Sequence, residues 1–150
     1  MRLSLERQFP ALWDRAQRFT FRRLVNSYEP YHPVMLGQEQ LAAGERSCAD
    51  RWSVIAEVIR ETSSVSFLDL GCAEGYFVQQ AAKTFRCISI GVDADIRRLT
   101  VARTATSLNG INGAGFVGGM IDADLLDRLP PFDVVLFLSV LHHVMYEHGL

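Results

Sequence analysis

The chain has 150 residues, about half of them apolar, enough for one domain with a buried core. Fifteen basic residues against 17 acidic ones leave a formal net charge of -2, which argues against binding nucleic acid or a membrane surface through bulk charge. The three cysteines, Cys48, Cys72 and Cys87, lack the spacing of a disulfide framework or zinc site; with no membrane-length apolar run and no signal peptide, the sequence reads as cytoplasmic.

Residues 4–25 place Leu5, Phe9, Leu12, Ala16 and Phe19 at helical spacing, with Pro10 breaking the helix or starting a second one. The opposite face carries Arg7, Arg15, Arg18 and Arg22 and reads as solvated. The stretch "NSYEPYHPVMLGQ" reads as an ordered loop because it holds two prolines, a glycine and several rings. "ERSCADRWSVIAEVIRE" reads as a helix, with Trp52, Ile55 and Ile59 on one stripe.

From residue 65 strands and helices alternate. "VSFLDL", "CISIGVD", "AGFVGG" and "FDVVLFLS" read as strands; "EGYFVQQAAKTF", "ADIRRLTVARTATSLNG", "IDADLLDRLP" and "VLHHVMYEHG" read as helices or turns. Such alternation predicts an α/β fold, a mostly parallel sheet with helices on both faces. "DVVLFL" has no polar alternation and suits the middle of a sheet, yet one helix is all that follows. The sheet therefore reads as cut short after its fourth strand, with a further chain or a second copy expected over its open edge. The division expected is an N-terminal extension over 1–45 and a partial domain over 46–150.

A strand ending at Asp69, then Gly71 and Gly75, then a helix, brings the backbone close to a ligand. The next strand ends at Asp93, where a carboxylate can accept from both hydroxyls of a ribose. Dinucleotide and S-adenosylmethionine sites share that pairing. The glycine spacing, Gly71-x-x-x-Gly75, departs from G-x-G-x-x-G, and Glu74 places an anion where a pyrophosphate would sit. Asp69 and Glu74 instead make a negative surround suited to a sulfonium, so S-adenosylmethionine is the expected cofactor and a nicotinamide oxidoreductase the rival.

"FLDLGCAEGYF", "GVDAD" and "FDVVLFLSVLHHV" resemble, in order and spacing, the class I S-adenosylmethionine-dependent methyltransferases over residues 50–150. The resemblance implies a Rossmann-like sheet. It implies contacts to the donor from Asp69, Gly71, Cys72, Ala73 (where the family has its middle glycine) and Gly75. It implies ribose binding by Asp93, adenine binding by Asp122 or its neighbour Asp124, and Ser139 and Leu141 beside the donor. The family's sheet has seven strands; four are visible here. "YEPYHPVMLGQ", "RSCADRW" and "LSVLHHVMYEHG" further resemble the methyltransferase module of enzymes that cap bacterial surface polysaccharides. That implies a segment closing over the donor, with Tyr28, Arg46 and Arg51 as contacts, and a glycan or other small polar acceptor.

A hydroxyl acceptor would need a base, and His142 and His143 are the candidates. His143 and Glu147 have the spacing of two metal ligands, but no third completes the set, so no metal is expected. Cys72 reads as a small packing residue. The alternative to an enzyme is a truncated, non-catalytic module of the same fold acting in binding or assembly.

Overall fold

The structure is a computed structural model that describes residues 9–138. The expectations for Leu5, Arg7, Ser139, Leu141, His142, His143 and Glu147 lie outside the described residues.

Helix α1 (Pro10–Val25) opens with Pro10 in its first turn, where a missing N–H costs nothing. A hairpin follows, β1 (Val34–Leu36) and β2 (Glu39–Ala42). Helix α2 (Ala49–Thr62) leads into an alternating series: β3 (Ser66–Leu70), α3 (Tyr76–Phe85), β4 (Ile88–Asp93), α4 (Ile96–Leu108), β5 (Ala114–Gly118), α5 (Ala123–Arg128) and β6 (Val134–Leu136).

The four later strands form a parallel sheet in the order β5-β4-β3-β6. This is the α/β architecture expected, and β3 lies inside it, buried on nearly every residue. Phe67, Phe77, Val78, Leu99 and Ile59 fill the core on one side of the sheet. Leu68, Leu70 and Val92 pack with Phe132 and Phe137 on the other. Asp133 pins β6 to the start of β3: its Oδ2 accepts from the Val65 and Ser66 amides, each at 2.9 Å, and from Ser66 Oγ at 2.8 Å. Among the described residues β6 is an edge strand, with Val135 54% and Leu138 47% exposed.

Two expectations for the N-terminal part are corrected. The apolar stripe of α1 does not dock, for Phe9, Leu12 and Phe19 are exposed. Phe21 and Val25 are buried instead, together with Val34, Leu36 and, from α4, Val101 and Ala105. At 100° per residue these two lie about half a turn round the helix from Leu12 and Phe19. The face expected to be solvated is solvent-exposed, with surface pairs of Arg18 with Asp14 and Arg22 with Glu39.

The stretch read as a loop contains β1 and the turn into β2. Leu36 pairs with Glu39 across Gly37-Gln38, and Gly37 has φ +65°. Two-residue hairpin turns demand such a conformation, and glycine adopts it without strain. Asn109, at the end of α4, holds the turn: its Oδ1 accepts from the Gly37 amide at 2.7 Å, and its Nδ2 donates to the Met35 carbonyl at 3.0 Å.

Candidate active site

The loop between β3 and α3 is built from backbone bonds to its neighbour strand. The amides of Gly71 and Cys72 both donate to the Val92 carbonyl, at 2.8 and 2.9 Å. The Gly75 amide then turns back to the Cys72 carbonyl at 2.8 Å. Gly71, Ala73 and Gly75 all have positive φ (82°, 48° and 75°). Ala73 therefore holds a conformation that suits the glycine it replaces. Gly75 answers to packing, since a Cβ there would lie 2.4 Å from Phe116 Cε1. Gly91 has the same role toward Cys72, whose Sγ would lie 2.6 Å from an added Cβ.

Asp93 ends β4 and faces this loop. Its Oδ2 accepts from the Ala73 amide and its Oδ1 from the Asp95 amide, both at 2.8 Å. A carboxylate has about four lone-pair positions, so each oxygen keeps one for a further donor. Asp69, at the adjacent strand, is 3% exposed, and its Oδ2 has no hydrogen-bond partner among the described residues. Burial, reinforced by the Asp93 carboxylate and opposed by the Arg51 guanidinium, raises its carboxyl to about 7. Buried polar atoms are normally paired, so this oxygen marks a place where a donor group belongs.

Glu74 differs from its expected role. It is fully buried, but its carboxylate serves the N-terminal segment. Oε1 accepts from the Tyr28 hydroxyl at 3.1 Å and the Tyr31 amide at 3.2 Å, and Oε2 from the His32 amide at 2.8 Å. Arg98 Nε lies 3.9 Å away. The negative surround of the loop is thus Asp69 and Asp93, with Glu74 as the anchor of residues 28–32. Burial and the Glu74 charge push the Tyr28 hydroxyl well above its ordinary value.

The other expected residues are scattered more widely. Arg46 is exposed, with its guanidinium 6.0 Å from the Tyr31 ring centroid. Arg51 lies 5.8 Å over the Phe77 ring. Asp122 is exposed and caps α5, its Oδ1 accepting from the Leu125 amide at 2.8 Å; Asp124 pairs with Arg128 at 2.8 Å. The Cys72 side chain is buried beside Gly91, where it packs, and burial pushes its thiol up.

His32 was missed by sequence reasoning. It is 3% exposed, with its ring edge-on to Phe77 at 5.3 Å. Its Nδ1 has no partner among the described residues. Burial and the Arg51 charge lower it to about 4, so the ring is neutral at pH 7. The sequence signal was its place between Pro30 and Pro33, which fixes a backbone but says nothing of the ring.

A cationic ligand with several N–H or O–H donors and no phosphate fits this arrangement. Such a ligand would meet the Asp69 oxygen, which has no partner among the described residues, the free lone pairs of Asp93 and the positive-φ loop. Nothing in the loop is arranged for a pyrophosphate, because the buried Glu74 carboxylate occupies the entry to α3.

A family model described as a methyltransferase domain matches residues 61–147. The Escherichia coli "O-antigen chain terminator bifunctional methyltransferase/kinase WbdD" is 31% identical over 129 residues, 81% of this chain. This chain spans 18% of that protein's length. A crystal structure of WbdD superposes with a TM-score of 0.75 at 28% identity, covering 86% of this chain and 30% of the other. The N-terminal domain of EvdMO1, solved with SAH bound, matches at a TM-score of 0.65 and 20% identity over 85% of this chain and 56% of its own, a likeness of fold. Among the described residues no helix is long and apolar enough to cross a membrane.

Proposed function

The chain belongs to the methyltransferase-domain family, and from that premise we propose that it transfers a methyl group from S-adenosylmethionine to a glycan-type or other small polar acceptor. The observation that carries the cofactor is the buried Asp69 Oδ2, without a hydrogen-bond partner among the described residues, beside Asp93 at the glycine loop. The glycan class of the acceptor is supported by the likeness to WbdD, named as an O-antigen chain terminator.

S-adenosylmethionine supplies a methyl group already activated on a sulfonium. What remains for the protein is positioning, which lowers the barrier by holding reactants in line. Asp93 is assigned the ribose hydroxyls. The Ala73 and Asp95 amides fix its carboxylate beforehand, so little freedom is lost on binding. Asp69 is assigned the amino end of the donor, and Asp122 the adenine. Gly71, Ala73 and Gly75 shape the loop, with Cys72 packed beneath it. Tyr28 is assigned the near side of the donor, where it holds Glu74; Arg46 is assigned to the donor, and Arg51 to the donor or the acceptor. Ser139 is assigned to the donor's flank.

A phosphate acceptor is anionic and needs no base. A hydroxyl acceptor does, and His142 and His143 are assigned that role. The test is transfer of label from methyl-labelled S-adenosylmethionine to surface-polysaccharide fragments, phosphorylated and unphosphorylated. Labelled glycan supports the reading. Donor binding with no glycan labelled removes the acceptor class and leaves the cofactor.

A further inference from the structure

The glycine loop and Asp93 lie where β3 and β4 end. A cavity of about 890 Å³ runs along the polar face of α3 instead, from Tyr76 to Arg86. Arg86 closes α3 just before β4 begins, and Asn112, also in the wall, stands just before β5. This end of the cavity is therefore at the start of the parallel strands. Strand β4, Ile88–Asp93, spans about 17 Å, which separates it from the Asp93 carboxylate. Helix α1 and the hairpin turn supply the outer wall, through Arg18 and Gln38.

The charge in this cavity is one-sided. Among the described residues Arg18, Lys83 and Arg86 line it and no carboxylate does, although the chain as a whole has more acidic residues than basic ones. Arg18 pairs with Asp14, whereas Lys83 and Arg86 form no ion pair among the described residues. Cations at the end of a helix suit its dipole, but that accounts for neither Arg18 nor the backbone at Arg86. Arg86 has φ +58°, in the left-handed region where a helix commonly ends on glycine. A guanidinium stands there against the preference of its own backbone.

We propose that this cavity binds a phosphorylated sugar, its phosphate between Lys83 and Arg86 and its hydroxyls on the amide side chains of Gln38, Gln80 and Asn112. Lys83 and Arg86 are three positions apart on the helix and so are neighbours on its surface. Two cations without a carboxylate partner match a phosphate monoester, which carries about -1.5 to -2 charges at pH 7. Amide side chains offer donors and acceptors together, as sugar hydroxyls require. The volume is that of a small-molecule site and far exceeds an inorganic anion. The phosphate lies at the other end of β4 from Asp93, so it is not the group that receives a methyl. The site does not depend on the donor reading.

The experiment is calorimetric titration of the full chain with glucose 6-phosphate, glucose and inorganic phosphate. Glucose 6-phosphate should bind in the millimolar range or tighter, and the other two at least about tenfold more weakly. Lys83→Gln combined with Arg86→Asn removes both charges, and asparagine tolerates the left-handed turn. The double variant should weaken glucose 6-phosphate at least about tenfold and leave S-adenosylhomocysteine within about twofold of wild type. Both side chains are exposed, so it should melt as wild type does; Lys83→Gln alone should weaken the sugar phosphate severalfold. Wild-type chain that takes up no glucose 6-phosphate, or variants that bind it as well as wild type, overturn the site. Glucose or inorganic phosphate binding as tightly as glucose 6-phosphate overturns its assignment to a phosphorylated sugar. S-adenosylhomocysteine weakened in step with the sugar phosphate means one site rather than two, and overturns the inference while leaving the donor reading standing.

Discussion

The Tyr28 hydroxyl donates to Glu74 Oε1 at 3.1 Å across 46 positions of sequence. With the two amides that share the same carboxylate, this bond ties the N-terminal segment to the glycine loop. Removing one side of a buried charged network leaves the other side unpaired. Glu74→Ala is therefore expected to cost about 3 kcal/mol, and Tyr28→Phe about 1 kcal/mol, because water and the remaining donors compensate at a partly buried hydroxyl. Thermal melting of both variants checks the order. Equal, small losses would show that Glu74 is not the anchor.

Gly75 is a packing glycine as well as a turn glycine. A Cβ there meets the Phe116 ring, and φ of +75° strains any other residue. Gly75→Ala should cost about 2 kcal/mol or more. Adding Phe116→Leu should return part of the loss, because the clash is relieved and the strain is not. Denaturant unfolding of the single and double variants measures the coupling. Purely additive losses contradict the contact.

The buried His32 makes the fold acid-sensitive. Its value is lowered from 6.5 to about 4, so the unfolded chain binds a proton where the folded chain does not. Stability from this group is full above about pH 6.5 and falls as pH drops toward 4. His32→Gln removes the loss. Between pH 8 and pH 4.5 the stability difference should move in favour of the variant by about 2–3 kcal/mol. Parallel pH profiles for the two proteins would mean that the ring is not held neutral.

Asp69 works in the opposite sense. Its value is raised from 3.8 to about 7 by burial, with Asp93 adding and Arg51 opposing. The folded chain keeps the proton that the unfolded chain releases, so stability from this group is present at low pH and lost as pH rises toward 7. A ligand ammonium favours the ionised form. S-adenosylhomocysteine should therefore bind about tenfold more weakly at pH 6 than at pH 8 and release a proton on binding near pH 7. Asp69→Asn should flatten that dependence. A flat profile in wild type would place the ammonium elsewhere.

Much of the sheet-forming part was legible because its signals are local. Apolar runs of strand length, glycines at turns and alternating helices state the β3-α3-β4-α4 order directly. The Asp69 and Asp93 positions follow from strand ends. The N-terminal part was harder for physical reasons. Strands β1 and β2 are three and four residues long, too short for a period to appear. Helix α1 carries two apolar faces, and the one that docks, Phe21 and Val25, has fewer residues than the one left exposed. Glu74 read as part of the cofactor's surround because its partners are contributed by a segment 42 to 46 positions away. His32 drew no reading of its own, since no local pattern marks a ring that packs against Phe77 in another element.

The most direct test of the account is calorimetric titration of S-adenosylhomocysteine into the wild-type chain and Asp93→Asn, with melting curves for both. The account predicts micromolar binding to wild type, weakened at least about tenfold in a variant that still folds. Folded wild-type protein that takes up no S-adenosylhomocysteine would contradict it, leaving the glycine loop as architecture without a donor.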